Sequence, residues 1–166
     1  MARISQLLNR RINLSYKFYF PNLPDYQSYT IIMTRVLVID DEKRIRESYK
    51  KLLKTMDCVV DVAHGSLEGI DCFISRIYDV VLTDFNLDEL NGLQMLEFFQ
   101  IIDAKIPVIF FSGIVDSKVI AKILEQGAFD FVPHSAGTRF LLHTISKAVY
   151  ERPNHVTDVT ERCNEC

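Results

Sequence analysis

From Arg35 onward, short runs of β-branched residues alternate with longer stretches that carry apolar residues at helical spacing. This alternation predicts repeated strand–helix units, which build a parallel sheet covered by helices. Three of the five strand candidates are nearly all apolar, as expected of strands that are buried on both faces. The five candidates are Val36–Ile39, Val59–Val62, Asp79–Leu82, Val108–Phe111 and Phe129–Val132. The sequence therefore predicts a five-stranded α/β domain.

An amphipathic segment follows each strand candidate. The first places Ile45, Tyr49 and Leu53 on one face and lysines and arginines on the other, which is typical of a surface helix. Gly127 is well placed to end the fourth segment. The remaining segments are Leu67–Ile77, Leu93–Ile102, Val119–Gln126 and Phe140–Val149. The predicted order of elements is therefore (βα)5.

The length of 166 residues leaves room for one ordinary domain with tails. We expect a domain at 34–150, a poorly ordered N-terminal extension at 1–33 and a polar tail at 151–166. The net charge of −3 argues against a dedicated nucleic-acid binder. No apolar run is long enough for a membrane helix, and the four scattered cysteines do not suggest a disulfide framework. We therefore expect a cytoplasmic protein, and we assign no metal to the terminal pair Cys163 and Cys166.

Acidic residues follow the first and third strand candidates where each one ends: Asp40 and Asp41 after the first, Asp84 after the third. In an open parallel sheet, the carboxyl ends of these two strands flank the crevice where ligands bind. Carboxylates held this close repel each other unless a cation lies among them, and Mg2+ prefers such oxygen ligands. The cluster therefore predicts a Mg2+ site, although an Asp-Asp-Glu sequence before a helix is also a common helix cap.

Three motifs at strand ends resemble those of a known family. They are Val36–Glu42, then Val81–Asp84 with Gly92 eight residues later, and Phe110–Gly113. Together they resemble the receiver domain of two-component response regulators, over about residues 34–150. The resemblance implies a flavodoxin-like, doubly wound parallel sheet with strand order 2-1-3-4-5.

The resemblance also implies a role for each residue near the acidic cluster. Asp84 is the expected phosphoacceptor, Asp41 a direct ligand of Mg2+, and Asp40 a ligand acting mainly through water. Asn86 is expected to offer its backbone carbonyl to the metal, and Ser112 to hydrogen-bond a phosphoryl oxygen. Phosphoryl transfer to a carboxylate depends on positioning and charge neutralisation more than on a proton-transfer base.

The chain departs from the family pattern after the fifth strand. The family has a lysine followed by a proline, whereas this chain has His134 and Ser135. A histidine carries less positive charge than lysine at neutral pH, but its ring can still donate a hydrogen bond. Phe131 takes the place of an aromatic residue whose rotation reports phosphorylation in the family, and it equally suits a core position. We expect the acidic residues Asp88 and Glu89 of the preceding loop to be solvated.

Two functions follow from these observations. The first is a single-domain response regulator or phosphorelay receiver. It would accept a phosphoryl group on Asp84 from a histidine kinase or histidine phosphotransfer protein and signal by protein–protein contact, without direct DNA binding. The second is a degenerate receiver that binds a partner without phosphorylation, which His134 favours. We do not expect an enzyme, because Asp40–Glu42 stands where a flavin-binding protein needs a phosphate loop and the Asp-x-Asp pattern of a phosphohydrolase is not present.

Overall fold

The computed structural model describes residues 16–18, 29–31, 33–113 and 116–152. Most of the predicted N-terminal extension, and the tail from residue 153 with its two cysteines, lie outside the described residues. The strands are β1 (Tyr16–Phe18), β2 (Tyr29–Ile31), β3 (Arg35–Ile39), β4 (Val59–Ala63), β5 (Val80–Thr83), β6 (Val108–Ser112) and β7 (Asp130–Pro133). The helices are α1 (Lys43–Lys54), α2 (Ser66–Ser75), α3 (Gly92–Ile102), α4 (Ser117–Glu125) and α5 (Thr138–Glu151), with a 3-10 turn at His134–Ala136.

Strands β3 to β7 form one parallel sheet in the order β4-β3-β5-β6-β7. Counted from β3, this is the predicted order 2-1-3-4-5, so the predicted flavodoxin-like (βα)5 fold is confirmed. Strands β1 and β2 form a separate antiparallel pair, with Tyr16 opposite Ile31. None of the helices in the described part of the chain has the length and apolar character of a membrane span.

Alternate residues of the central strands face opposite sides of the sheet, because side chains in a strand repeat every second residue. Leu37 and Ile39 of β3 pack on the side of α2, α3 and α4, whereas Val36 and Val38 pack on the side of α1 and α5. Both sides are fully buried, which explains why the strands read as nearly continuous apolar runs. The sheet is therefore the middle of three layers.

Local signals set the ends of the helices. Asn91 begins α3 with a capping box: its side chain accepts hydrogen bonds from the backbone N–H of Leu93 and Gln94, and the Gln94 side chain accepts one from the Asn91 N–H. Gly127 follows α4 with a φ of +90°, a conformation that favours glycine. The predicted helix end at Gly127 is therefore confirmed.

A cluster of charges lies on the edge strand β4. The Asp61 carboxylate accepts hydrogen bonds from Arg35 at 3.0 Å and from the Tyr78 hydroxyl at 2.9 Å, and Arg76 pairs with it at 3.0 Å. Burial opposes ionisation, but the hydrogen bonds and the two guanidinium groups keep the pKa of Asp61 below its ordinary value. Asp61 is therefore a charged, paired residue on the edge of the sheet.

A second ion-pair network anchors the end of α5. The Arg152 guanidinium donates hydrogen bonds to the Tyr78 carbonyl and to Asp103 at 2.8 Å, and it lies 3.4 Å from Asp79. Only 13% of the Arg152 side chain is exposed. One side chain thus joins α5 to the residues just before β5 and just after α3.

Candidate functional site

The backbone places Asp40 and Asp84 at the carboxyl ends of neighbouring strands. The Asp40 N–H donates to the Ala63 carbonyl at 3.1 Å, and the Asp84 N–H donates to the Ile39 carbonyl at 2.9 Å. These bonds continue the parallel ladder one residue beyond β3 and β5. Both aspartates are therefore fixed by the sheet rather than by flexible loops.

Asp40 is a buried carboxyl with acidic neighbours. It is 3% exposed, and burial raises its pKa to about 6, with the charges of Asp84, Asp41 and Glu42 adding to the increase. The Glu42 N–H donates to Asp40 Oδ1 at 2.7 Å and partly opposes this increase. The protein thus does not fully compensate the negative charge at these strand ends, and this favours the binding of a cation.

The predicted ligand residues differ in how far they are buried. Asp84 is half-buried, and its Oδ1 accepts a hydrogen bond from the Phe85 N–H at 2.6 Å, which orients the carboxylate. Asp41 and Asn86 are exposed, whereas Ser112 is 1% exposed at the end of β6. The structure thus places these residues at one edge of the sheet, with Asp41 and Asn86 on its rim.

The oxygen donors at this edge fit Mg2+ rather than a metal that needs histidine or cysteine. Within the described residues, no group of three His, Cys, Asp or Glu side chains is arranged to hold a metal ion by itself. Mg2+ needs only one or two carboxylates, because it keeps several waters and accepts carbonyl and phosphate oxygens. Asp41, Asp84 and the Asn86 carbonyl suit that role, and Asp40 suits a contact through water.

The helix-cap interpretation of the Asp-Asp-Glu sequence is only partly correct. Glu42 is the N-cap residue of α1, yet in the described part of the chain its side chain makes no capping hydrogen bond. The Asp40 carboxylate instead accepts from the Glu42 N–H, so it orders the turn that leads into α1. This contact therefore belongs to the turn between β3 and α1 and is not a helix cap.

His134 lies beside the end of β6. It follows Pro133, which is paired with Ser112 in the sheet. Its ring centroid is 4.3 Å from that of Phe111, and a Cβ placed on Gly113 would lie 3.6 Å from His134 Nδ1. The structure therefore brings the histidine to the same sheet edge as the acidic cluster.

Phe131 is a core residue in this structure. It is 8% exposed and belongs to the apolar cluster on the α2, α3 and α4 side of the sheet, which also contains Phe110 and Ile123. The core interpretation accounts for this position. A rotation of Phe131 on phosphorylation stays a prediction.

Two residues of α1, which the sequence places only on the faces of an amphipathic helix, lie beside the acidic cluster. Arg46 Nη1 donates to the Asp40 carbonyl at 2.5 Å, so α1 holds the turn that carries the acidic pair. Burial, together with the Asp40 charge, raises the pKa of Tyr49 above its ordinary value. Only the helical spacing of Arg46 and Tyr49 was visible in the sequence, and spacing does not reveal which side chain turns toward a strand end.

Glu89 is exposed, as expected, but its carboxylate also makes a specific contact. The buried Ser66 hydroxyl donates to Glu89 Oε2 at 2.7 Å and accepts from the Leu90 N–H at 3.1 Å. A Cβ on Gly65 would lie 3.2 Å from the same Oε2, so glycine leaves room for the carboxylate. This Ser66–Glu89 contact ties the loop between β5 and α3 to the start of α2. In the same loop, the Leu87 side chain is buried in the core.

Comparison with known proteins agrees with this arrangement. The profile of the family described as "Response regulator receiver domain" matches residues 36–146. The transcriptional regulatory protein TdiR of Thauera aromatica is 29% identical over 114 residues, which are 69% of this chain and 50% of TdiR. The chain thus spans about half the length of that curated relative, and less than half of several others.

Solved structures show the same similarity. A response regulator receiver domain protein from Clostridium thermocellum is 30% identical, with a TM-score of 0.67 over 71% of this chain and 95% of that one. The response regulator TrrA from Thermotoga maritima, solved in complex with Mg2+ and BeF, is 26% identical, with a TM-score of 0.64 over 70% of this chain and 99% of that one.

Proposed function

The chain belongs to the response regulator receiver domain family, and we propose that it accepts a phosphoryl group on Asp84 and passes the signal on by contact with another protein. The observation that best supports this function is the placement of Asp84 and the buried Asp40 at the ends of the neighbouring strands β5 and β3. The two carboxylates lie close enough for the charge of Asp84 to raise the pKa of Asp40. We assign the function to a domain at 34–150, flanked by an extension at 1–33 and a tail at 151–166.

In the proposed reaction, an Asp84 carboxylate oxygen attacks the phosphorus of a donor phosphohistidine. The P–N bond breaks, the new O–P bond forms, and the released imidazole takes up a proton. Bound Mg2+ would neutralise charge on the transferred group. Asp41, Asp84 and the Asn86 carbonyl would hold the ion, with Asp40 acting through water. Ser112 would donate a hydrogen bond to a phosphoryl oxygen.

The proposed donor is a histidine kinase or a histidine phosphotransfer protein, as for the receiver family in general. The proposed target is another protein. The chain matches 50% of the length of TdiR, so the proposal does not extend to transcriptional regulation. The single-domain form expected from the sequence stays a prediction.

The direct test is labelling with acetyl phosphate in the presence of Mg2+. Asp84→Asn should abolish hydroxylamine-labile phosphate incorporation and leave the circular dichroism spectrum unchanged. Asp88→Asn is the matched control, because Asp88 is an exposed acid of the same loop. Asp88→Asn should keep full labelling, and undiminished labelling of Asp84→Asn would end the assignment.

One observation favours a second function, a receiver that binds its partner without phosphorylation. His134 stands where the family has lysine, so the site has no permanent cation at that position. If this second function is correct, the wild-type protein takes up no phosphate from acetyl phosphate or from a kinase. Partner binding is then also unchanged by Asp84→Asn.

A further inference from the structure

Three aromatic rings connect the His134 position to α1. The His134 and Phe111 ring centroids are 4.3 Å apart, with 33° between the ring planes. Phe111 in turn meets Tyr49 edge to face, at 4.7 Å and 81°. The Phe111–Tyr49 distance lies in the range of favourable aromatic contacts, and the His134–Phe111 distance lies just below that range, so these two rings are in close contact. We call His134, Phe111 and Tyr49 the aromatic row.

In the aromatic row, the middle ring, Phe111, is buried, whereas the ring at one end, His134, is exposed. Phe111 is 6% exposed in the core between the sheet and the α1 and α5 layer, so its position is set by packing. His134 is exposed and rests on that ring. Tyr49, at the other end, is close enough to Asp40 for that carboxylate to contribute to its raised pKa. The row therefore passes along the same edge as the acidic cluster.

A histidine side chain at this position needs a supporting ring more than a lysine side chain does. Lysine reaches a phosphoryl group through a flexible four-carbon stem, whereas an imidazole is joined to the backbone through a single carbon. The positions of its nitrogens thus depend on two dihedral angles and on the surface against which the ring lies. The Nδ1 side of the ring lies next to Gly113 at the end of β6, where a Cβ added to the glycine would be 3.6 Å from Nδ1.

Resting on the proposed function, we propose that Phe111 is a positioning residue, held by Tyr49, that directs a His134 ring nitrogen toward a phosphoryl group on Asp84. His134 then donates a hydrogen bond where the family uses lysine. Phe111 acts only through His134 and does not touch the reacting atoms.

The ring contact can be tested without phosphate, by NMR of the His134 ring protons. Stacking on Phe111 gives a ring-current shift, which Phe111→Leu should remove. Phe99→Leu is the matched control: Phe99 is fully buried and lies 4.6 Å from the Phe73 ring, in the core on the opposite side of the sheet. Unchanged His134 signals in the Phe111 variant would overturn the inference.

The positioning role can be tested with beryllofluoride and Mg2+ as the phosphoryl mimic, in a double-mutant cycle. Phe111→Leu should weaken binding about fivefold, as expected for a lost aromatic contact. The double variant should then bind as tightly as His134→Ala alone, because Phe111 acts through the histidine and its loss has no further effect once the histidine is gone. Additive losses would overturn the inference.

A second pair of variants keeps the test valid if Phe111→Leu does not fold. Tyr49→Leu removes the ring that holds Phe111 and should weaken beryllofluoride binding, whereas Tyr49→Phe keeps the edge contact and should bind as the wild type does. Equal binding by both variants would overturn the inference while the proposed function stands. If the wild-type protein itself does not bind beryllofluoride, the proposed function fails as well.

Discussion

The charge of the buried Asp40 carboxyl affects the stability of the unliganded protein. Its pKa is about 6 in the folded chain against an ordinary value of 3.8, so the folded state binds the proton more tightly than the unfolded state does. The ionised Asp40 carboxylate therefore destabilises the folded state. This destabilisation is absent below pH 4, develops as the pH rises to about 6 and is complete above that.

We therefore expect Asp40→Asn to raise the free energy of unfolding by up to about 3 kcal/mol at pH 7.5, at about 1.4 kcal/mol for each unit of pKa, and to change it little at pH 4. Urea unfolding without Mg2+ at the two pH values measures the difference. If the free energy of unfolding rose by the same amount at both pH values, the effect would not come from the charge of Asp40.

The two aspartates that follow β3, Asp40 and Asp41, should contribute differently to Mg2+ binding. Asp41 is exposed on the rim and suits direct contact, whereas Asp40 is buried and suits contact through water. We expect Asp41→Ala to weaken Mg2+ binding more than Asp40→Ala does. Titration of each variant with Mg2+, followed by NMR of the backbone amides, gives the two affinities. Equal affinities would contradict this division of roles.

At the scale of elements, the Ser66–Glu89 contact should control the loop that carries Asn86. Hydrogen bonding to Ser66 lowers the pKa of Glu89, which shows that the ionised form is the one held. We expect Glu89→Ala to speed hydrogen exchange of the amides in 85–91 and to weaken Mg2+ binding. The adjacent, exposed Asp88 supplies the control. If Asp88→Ala has the same effects, the loop is governed by its charge and not by the contact.

The exposed basic face of α1 should govern encounter with the phosphodonor, as α1 does in the family. It carries Lys43, Arg44, Lys51 and Lys54. We expect Arg44→Glu to slow transfer from a kinase about tenfold and to leave labelling by acetyl phosphate unchanged, because rim charges affect association. Arg46 is unsuitable for this test, although the sequence suggests it equally, because it holds the Asp40 carbonyl. Equal loss in both assays would indicate a damaged pocket.

The elements from β3 onward were predictable from the sequence because periodicity is a local signal, whereas the short strands β1 and β2 were not predicted. Strand and helix bounds differ from the prediction mainly by one or two residues, as at β6, which continues to Ser112. Contacts between distant residues were not predictable. Ser66 and Glu89 are 23 residues apart, and no local pattern marks either as a partner. The meeting of Tyr49 with Phe111 likewise depends on how α1 packs against the sheet.

At the scale of the whole molecule, Arg152 joins the last helix to the rest of the domain. Asp79 and Asp103 are each less than a fifth exposed, so removal of the guanidinium leaves two poorly solvated carboxylates. We expect Arg152→Ala to lower the free energy of unfolding by about 1–3 kcal/mol. Lys147→Ala, which breaks an exposed pair with Glu151, should cost less than about 0.5 kcal/mol. Urea unfolding of both variants is the measurement.

The charged cluster around Asp61 also affects how copies of the protein behave toward one another. An edge strand presents free backbone groups that another chain can extend, and this is a common route to aggregation. Here the β4 edge carries a carboxylate already paired with Arg35 and Arg76. A second chain could add to this edge only by covering fixed charges, so β4 resists the strand addition that leads to fibrils.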